Sequence, residues 1–300
     1  MKIQLIYNPH SGGGRGKELA PLAIKALADA GHEVISHGTL YHEHATEIVK
    51  HLDLNDCDML VSVGGDGTMY EVLNGMIKNE ELKKYPPFAI IPVGTGNSFS
   101  QDIGMKTWRD GVKAILSNKK KAVDVMKFNT EGEDYYALNS IGFGLPTDVC
   151  INGIKYKKVF GTGAYTVSAL VEIMRYKPFH TKMEVDGVLH EFDAALVNFS
   201  NSTIFGGNMK ISPESVIDDG VIEVIVLKNC KKGEIIKALP TVYSGQHLSN
   251  PHVSVYTGKH FTVETFPEKT LNPEGEIFGV TPLEVTVMPK LVEMFVKETE

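Results

Sequence analysis

Met59-Leu60-Val61-Ser62-Val63-Gly64-Gly65-Asp66-Gly67-Thr68-Met69-Tyr70-Glu71 is the stretch on which the reading of this chain turns. Residues 59–63 are mostly apolar and β-favouring, so they read as a buried strand, and they run straight into a glycine turn. From residue 69 to 78 the apolar spacing becomes helical. A strand that meets a helix through glycines presents backbone N–H groups at a helix N-terminus, where a phosphate is favoured. Asp66 stands among glycines that cannot cover it, so it reads as a residue of chemistry rather than of packing. A carboxylate beside a nucleotide usually meets the phosphates through Mg²⁺.

Two similar turns flank this one. Upstream, a short strand at 3–7 leads into Asn8-Pro9-His10-Ser11-Gly12, and a helix is expected over 18–30, stopped by Gly31. A second strand begins at Val34 and Ile35, and a second helix covers 43–52. Downstream, a strand at 88–91 ends in Gly64-like fashion at Gly94-Thr95-Gly96-Asn97. Strictly alternating strands and helices predict a parallel sheet with ligands at the carboxyl ends of its strands. A lone glycine turn is most often an ordinary loop. Three of them, all at strand ends of the alternating pattern, point to one phosphate site. None is a Walker P-loop, because Gly12 to Lys17 lacks that spacing and the Lys-Ser/Thr pair.

Beyond an acidic, polar loop at 129–134 the pattern changes to β. Asp186-Gly187 between apolar flanks signals a hairpin, and 253–263 repeats the idea around Thr257-Gly258. Further strands are expected at 192–199, 221–227 and 283–288, with helices at 164–176 and 234–239. The expected organisation is an α/β domain over 1–128, a β-rich domain over 129–288, and a tail at about 289–300 that returns to the first domain or lies on the surface.

The composition suits a globular protein: 300 residues, 42% hydrophobic and 22% charged. A net charge of −7 disfavours nucleic acid as a partner, so any attraction to an anionic membrane must be local. Cys57, Cys150 and Cys230 follow no pairing or metal-ligand pattern, which suits a reducing, cytoplasmic setting. The apolar run at residues 3–7 is too short for a signal peptide, and no stretch approaches the ~20 apolar residues of a membrane-spanning helix.

Taken in order, these motifs resemble the diacylglycerol kinase catalytic family, which includes soluble bacterial lipid kinases and the sphingosine and ceramide kinases. That family is similar to NAD kinases and 6-phosphofructokinases in its GGDG turn. The likeness covers nearly the whole chain: residues 8–12, 64–71 and 94–97, Asp124 in Val123-Asp124-Val125, residues 206–220, and residues 272–276. It implies an NAD kinase/diacylglycerol kinase-like α/β domain that binds ATP and a β-sandwich-like second domain. It further implies a lipid substrate, diacylglycerol-like in the first instance, that enters a cleft between them at a membrane surface. The nucleotide contacts it implies are Asn8, Pro9, His10, Ser11, Gly12, Thr39, Gly64, Gly65, Asp66, Gly67, Thr68, Glu71, Gly94, Thr95 and Asn97. Asp66 and Asp124 would organise Mg²⁺ and water at the phosphates. Two positions depart from the family pattern, Tyr70 for its usual Asn and Ser98 for its usual Asp.

In the second half, Asn272-Pro273-Glu274-Gly275-Glu276 sets two carboxylates two residues apart. They share a face if the segment is extended and diverge if the glycine turns it. A positioned base helps a kinase that acts on an alcohol. The resemblance gives that role to Glu276, while Glu274 replaces the family's usual Asp, whose restoration is expected to be tolerated. It also implies a structural Mg²⁺ on Asp219 and the carbonyls of Val216 and Val221; by itself the segment reads as a turn into a strand. His42-Glu43-His44 lacks zinc-protease spacing and reads as surface around a helix start. Lys155, Lys157 and Lys158, before an apolar helix, read as the lead-in to a core helix or as a membrane-facing lip. The rival readings are an NAD kinase-like enzyme and a catalytically weak nucleotide-binding regulator. A homodimer is compatible with the sequence.

Overall fold

A computed structural model describes residues 1–160 and 164–297, with residues 154–160 and 164–166 described by no more than their backbone. Lys155, Lys157 and Lys158 therefore lie outside the described side chains. The chain divides into two compact units, Met1–Val125 with Pro289–Glu300, and Met126–Met288.

The first unit alternates β1 (Lys2–Tyr7), α1 (Arg15–Asp29), β2 (Glu33–Gly38), α2 (His44–His51), β3 (Met59–Gly64), α3 (Asp66–Ile77) and β4 (Phe88–Pro92). The strands pair in parallel in the order β2-β1-β3-β4. Every residue of β3 and β4 is buried, as central strands covered on both faces require. On α1, Gly16, Ala20, Ala23 and Leu27 are buried at spacings of three and four, which is one helical face. Gly75 of α3 lets α2 come close, since a Cβ there would lie 2.7 Å from the Thr46 carbonyl oxygen.

Two helices of this unit, α4 (Ser98–Asp102) and α5 (Trp108–Ser117), escape the sequence reading. A capping box starts α5, with Thr107 and Asp110 exchanging side-chain and backbone bonds. The chain's last described residues also belong here. Met294 pairs with Phe88, the Lys297 N–H donates to the Ile103 carbonyl, and Lys297 Nζ lies 2.9 Å from Asp110 Oδ1.

The second unit is entered along β5 (Lys120–Thr130), which folds back into β6 (Glu133–Ala137). The segment expected to be an acidic loop is thus the tip of a hairpin, with Glu131 and Gly132 at φ 54° and 84° supplying the two left-handed residues of a tight turn. There follow β7 (Ser140–Gly144), α6 (Leu145–Phe160), α7 (Ala164–Arg175), β8 (Phe179–Val185), β9 (Val188–Ser200), β10 (Ile222–Lys228), α8 (Lys232–Ser244), β11 (Val253–Gly258), β12 (His260–Phe266), β13 (Leu271–Pro273) and β14 (Leu283–Phe295). Strands β11, β10, β9, β8, β12 and the start of β14 are antiparallel neighbours in that order. The far half of β9 also pairs with β7, and β7 with β13. Phe143, Phe179, Phe199 and Phe261 are fully buried in this unit. The architecture is the α/β and β-sandwich-like pair that the sequence implies.

The hairpin expected around Thr257-Gly258 does not form. Instead β11 pairs with β10, and β12 with β8 and β14. Asp186, in the β8–β9 turn, takes the N–H groups of Lys259 and His260 at 2.8–3.1 Å and ties this crossing point to a different hairpin. Among the described residues no helix is long and apolar enough to cross a membrane.

Candidate active site

The three glycine turns of the first unit pack on one another. Gly94 closes on Gly65 so tightly that a Cβ on Gly94 would lie 2.4 Å from the Gly65 Cα and 2.7 Å from Asn97 Oδ1. The Gly64 carbonyl accepts from the N–H groups of Val93 and Gly94 at 2.9 and 3.2 Å, tying the second turn to the third. At the first turn, Gly12 has φ 62°, and a Cβ there would sit 2.2 Å from the Val93 carbonyl oxygen. Ser11 Oγ and Thr68 Oγ1 are 3.4 Å apart, and the Asn8 N–H donates to the Val63 carbonyl. Glycine is needed at these positions because backbone meets backbone there, which is also what a phosphate-cradling surface requires.

Arg15, which sequence reasoning passed over, spans this surface. Its guanidinium donates to the Gly94 carbonyl at 2.7 Å and to the Gly12 carbonyl at 3.1 Å. A basic residue three positions beyond Gly12 was the available signal. It supplies a permanent cation where the turns meet.

Asp66 does not sit in a loop between strand and helix, as the glycine turn suggests. It is the first residue of α3, with Gly65 as the N-cap. Burial pushes its carboxyl up to about 6, against the pull of the Ser98, Asn97 and Phe99 backbone N–H groups that face it. Asn97 holds the third turn by donating from Nδ2 to the Gly94 carbonyl at 2.9 Å, while its buried Oδ1 has no hydrogen-bond partner among the described residues. A carboxylate held above its usual range and an orphaned amide oxygen are hard oxygen donors, and they suit a Mg²⁺–phosphate group.

Other residues assigned to the nucleotide have local work. Thr39 is buried, and its N–H extends the β1–β2 pairing to the Tyr7 carbonyl at 2.9 Å. The Glu71 carboxylate accepts the Glu43 and Ala45 N–H groups at 3.0 and 3.1 Å, so it caps the start of α2. Pro9 and Asn8 shape the first turn, the Asn8 side chain accepting from the His10 N–H at 2.9 Å. His10 and Thr95 are exposed, and Gly67 lies in the first turn of α3. Tyr70 is buried on α3, and Ser98 is buried at the start of α4. Asp124 is fully buried and accepts the Lys290 N–H at 2.7 Å, which anchors the returning tail.

In the second unit, Glu274 and Gly275 have φ 52° and 90°, and the Glu276 N–H returns to the Pro273 carbonyl at 2.8 Å. The segment is therefore a tight turn, not an extended run, and its two acids part. Glu274 points inward, buried, with Oε1 accepting the Leu138 and Asn139 N–H groups at 2.7 and 2.6 Å. Glu276 stays half-buried. At the other acidic segment, Asp219 Oδ1 accepts the Val221 N–H at 3.1 Å, and Val216 is exposed. Among the described residues no group of three or more His, Cys, Asp or Glu side chains could hold a metal ion.

Comparison with known proteins gives this geometry a family. Residues 2–128 match the diacylglycerol kinase catalytic domain, and residues 139–296 match the YegS C-terminal NAD kinase beta sandwich-like domain. The chain is 28% identical to a diacylglycerol kinase of Bacillus subtilis (strain 168), over 96% of this chain and 97% of the relative. It is 27% identical to a diacylglycerol kinase of Staphylococcus carnosus (strain TM300), over 100% and 97%. Among solved structures, a diacylglycerol kinase from Bacillus anthracis str. Sterne superposes with a TM-score of 0.79 at 26% identity, covering 98% of this chain and 96% of the other. An NAD kinase from Archaeoglobus fulgidus in complex with ATP shares the fold, with a TM-score of 0.51 at 16% identity over 99% and 94%. With both halves matched in order, the chain belongs to the family that joins a diacylglycerol kinase catalytic domain to a YegS-type β-sandwich-like domain, and it is an enzyme of the diacylglycerol kinase type.

Proposed function

We propose that the chain moves the γ-phosphoryl group of ATP onto the free hydroxyl of a diacylglycerol-like lipid held in a membrane. The observation that carries this is the packing of three glycine turns around Asp66 with Arg15 spanning two of them. Such a surface offers backbone N–H groups and one cation to a polyphosphate. Asp66 and Asn97 would hold Mg²⁺, which neutralises charge on the transferring phosphoryl group when bound. Glu276 takes the proton of the attacking hydroxyl, the new O–P bond forms at the lipid, and ADP departs with the electrons of the broken bond. Glu274 acts through structure: its carboxylate fixes the turn that presents Glu276. The names of the relatives support diacylglycerol as the acceptor class.

The test is ADP release from ATP and Mg²⁺ with one acceptor at a time: diacylglycerol, monoacylglycerol, a sphingoid base, ceramide, a polyprenol, and NAD. Turnover with a glycerolipid is expected. Turnover with NAD alone would make the chain an NAD kinase-like enzyme, and nucleotide binding without turnover on any acceptor would make it a regulator.

A further inference from the structure

We propose that the outward face of α7, with the basic side chains at its C-terminal end, is the surface by which the chain docks on an anionic phospholipid bilayer; this rests on the reading of the chain as a lipid kinase. At 100° per residue, Val167, Leu170, Val171 and Met174 fall within one arc of the helix. Leu170 is 45% and Met174 61% exposed, while Val167 and Val171 are half-buried. The other side buries Ser168, Glu172 and Ile173, and Ile173 packs with Leu145 and Ile235. The helix thus buries a hydroxyl and a carboxylate beside Ile173 and leaves Leu170 and Met174 in solvent, so apolar residues lie on its outer face as well as its inner one. A contiguous outward apolar stripe marks a contact surface.

Charge selects the partner. The chain as a whole carries −7, yet Arg175 and Lys177 follow directly on the stripe. Lys232, at the start of α8, donates its ammonium to the Met174 carbonyl and brings Lys231 to the same end. All four are exposed. The nearby acids are occupied or enclosed: Glu172 lies 3.5 Å from Arg175 and is buried, and Glu234 accepts the Lys231 N–H and faces His252 at 3.7 Å. Asp148 shares a cavity of about 200 Å³ at this helix end with Lys269. An aliphatic stripe ended by a collar of cations matches the headgroup boundary of an anionic leaflet, where acyl chains meet phosphates.

The experiment sediments the full chain with phosphatidylglycerol or phosphatidylcholine vesicles, for the wild type, Leu170→Ser with Met174→Ser, and Lys231→Gln with Lys232→Gln. The wild type is expected to bind phosphatidylglycerol selectively and to release with salt. Each lysine removed should lower partitioning about fivefold. The serine variant should lose vesicle binding and turnover of vesicle-borne diacylglycerol, yet keep turnover of a monomeric short-chain diacylglycerol. That last substrate separates the two claims: no turnover by the wild type there sinks the kinase reading, while vesicle binding still decides the surface. A serine variant with native melting behaviour that binds vesicles like the wild type overturns the proposal. So does one that changes oligomeric mass and leaves vesicle binding unaltered.

Discussion

Asp66 couples chemistry to stability, because its carboxyl is held at about 6 by burial. The folded chain keeps this proton after the unfolded chain, with its ordinary value of 3.8, has lost it. Stability from this group is therefore full below about pH 4 and falls as the pH rises towards 6, by an amount on the order of 2–3 kcal/mol. Asp66→Asn should flatten that slope in melting curves taken without Mg²⁺ or nucleotide, and should remove most turnover with Mg²⁺ and ATP. An active Asp66→Asn enzyme would sink the phosphate-site assignment. Glu276→Gln should lower kcat by roughly 10²–10⁴-fold with nucleotide affinity unchanged; loss of ATP binding in proportion to activity would make Glu276 structural. For Glu274 the geometry revises the expectation that Asp is tolerated. A side chain one methylene shorter retreats from two amides now bonded at 2.7 and 2.6 Å, so Glu274→Asp should melt lower. Glu274→Ala, which strands two buried N–H groups, should cost about 1–3 kcal/mol for each. At this scale the sequence shows residue types well and partners poorly. Asp66 could be singled out because glycines surround it, whereas the anchoring of α2 by Glu71 and the span of Arg15 depend on residues 26 to 79 positions away.

Elements that follow a local rhythm could be read in the sequence. The strand at β3 and the Asp186-Gly187 hairpin are local in cause, the one fixed by a run of apolar residues and the other by left-handed φ of 48° and 88°. The Thr257-Gly258 hairpin has the same local signal and fails, because strand pairing is decided by distant neighbours such as Asp186. Helix α4 is five residues long, too short for a periodic pattern to show. The turn-to-turn contact offers the sharpest test here. Gly94→Ala pushes a methyl into Gly65 and Asn97 with no change of backbone region required. It should destabilise by about 1–3 kcal/mol and weaken nucleotide binding. Gly275→Ala meets no neighbour but strains a residue at φ 90°, so it should lower the melting temperature while leaving ATP affinity untouched. Equal nucleotide affinity for Gly94→Ala and the wild type by calorimetry would show that the second and third turns do not act together.

Over the whole molecule, the fold class was legible because alternation of strands and helices gives way once, and cleanly, to β patterning. Hidden from the sequence is how far the last strand runs: the pattern predicts 283–288, yet β14 continues through Pro289 to Phe295. A Mg²⁺ titration of melting temperature without nucleotide tests the metal implied at Asp219. If the site is real, Mg²⁺ raises the wild-type midpoint and not that of Asp219→Ala; equal midpoints with and without Mg²⁺ would leave the Val221 N–H as the partner of that carboxylate. The tail also sets an order of events during synthesis. The Phe88 edge of the first sheet, the Ile103 carbonyl and Asp110 Oδ1 all take partners from residues 294–297. A ribosome has therefore released the whole of Met126–Met288 before Met1–Val125 can close. The nucleotide half, first to be translated, is the last to be finished, and a nascent chain stopped after residue 288 should be cut by protease within its first 125 residues.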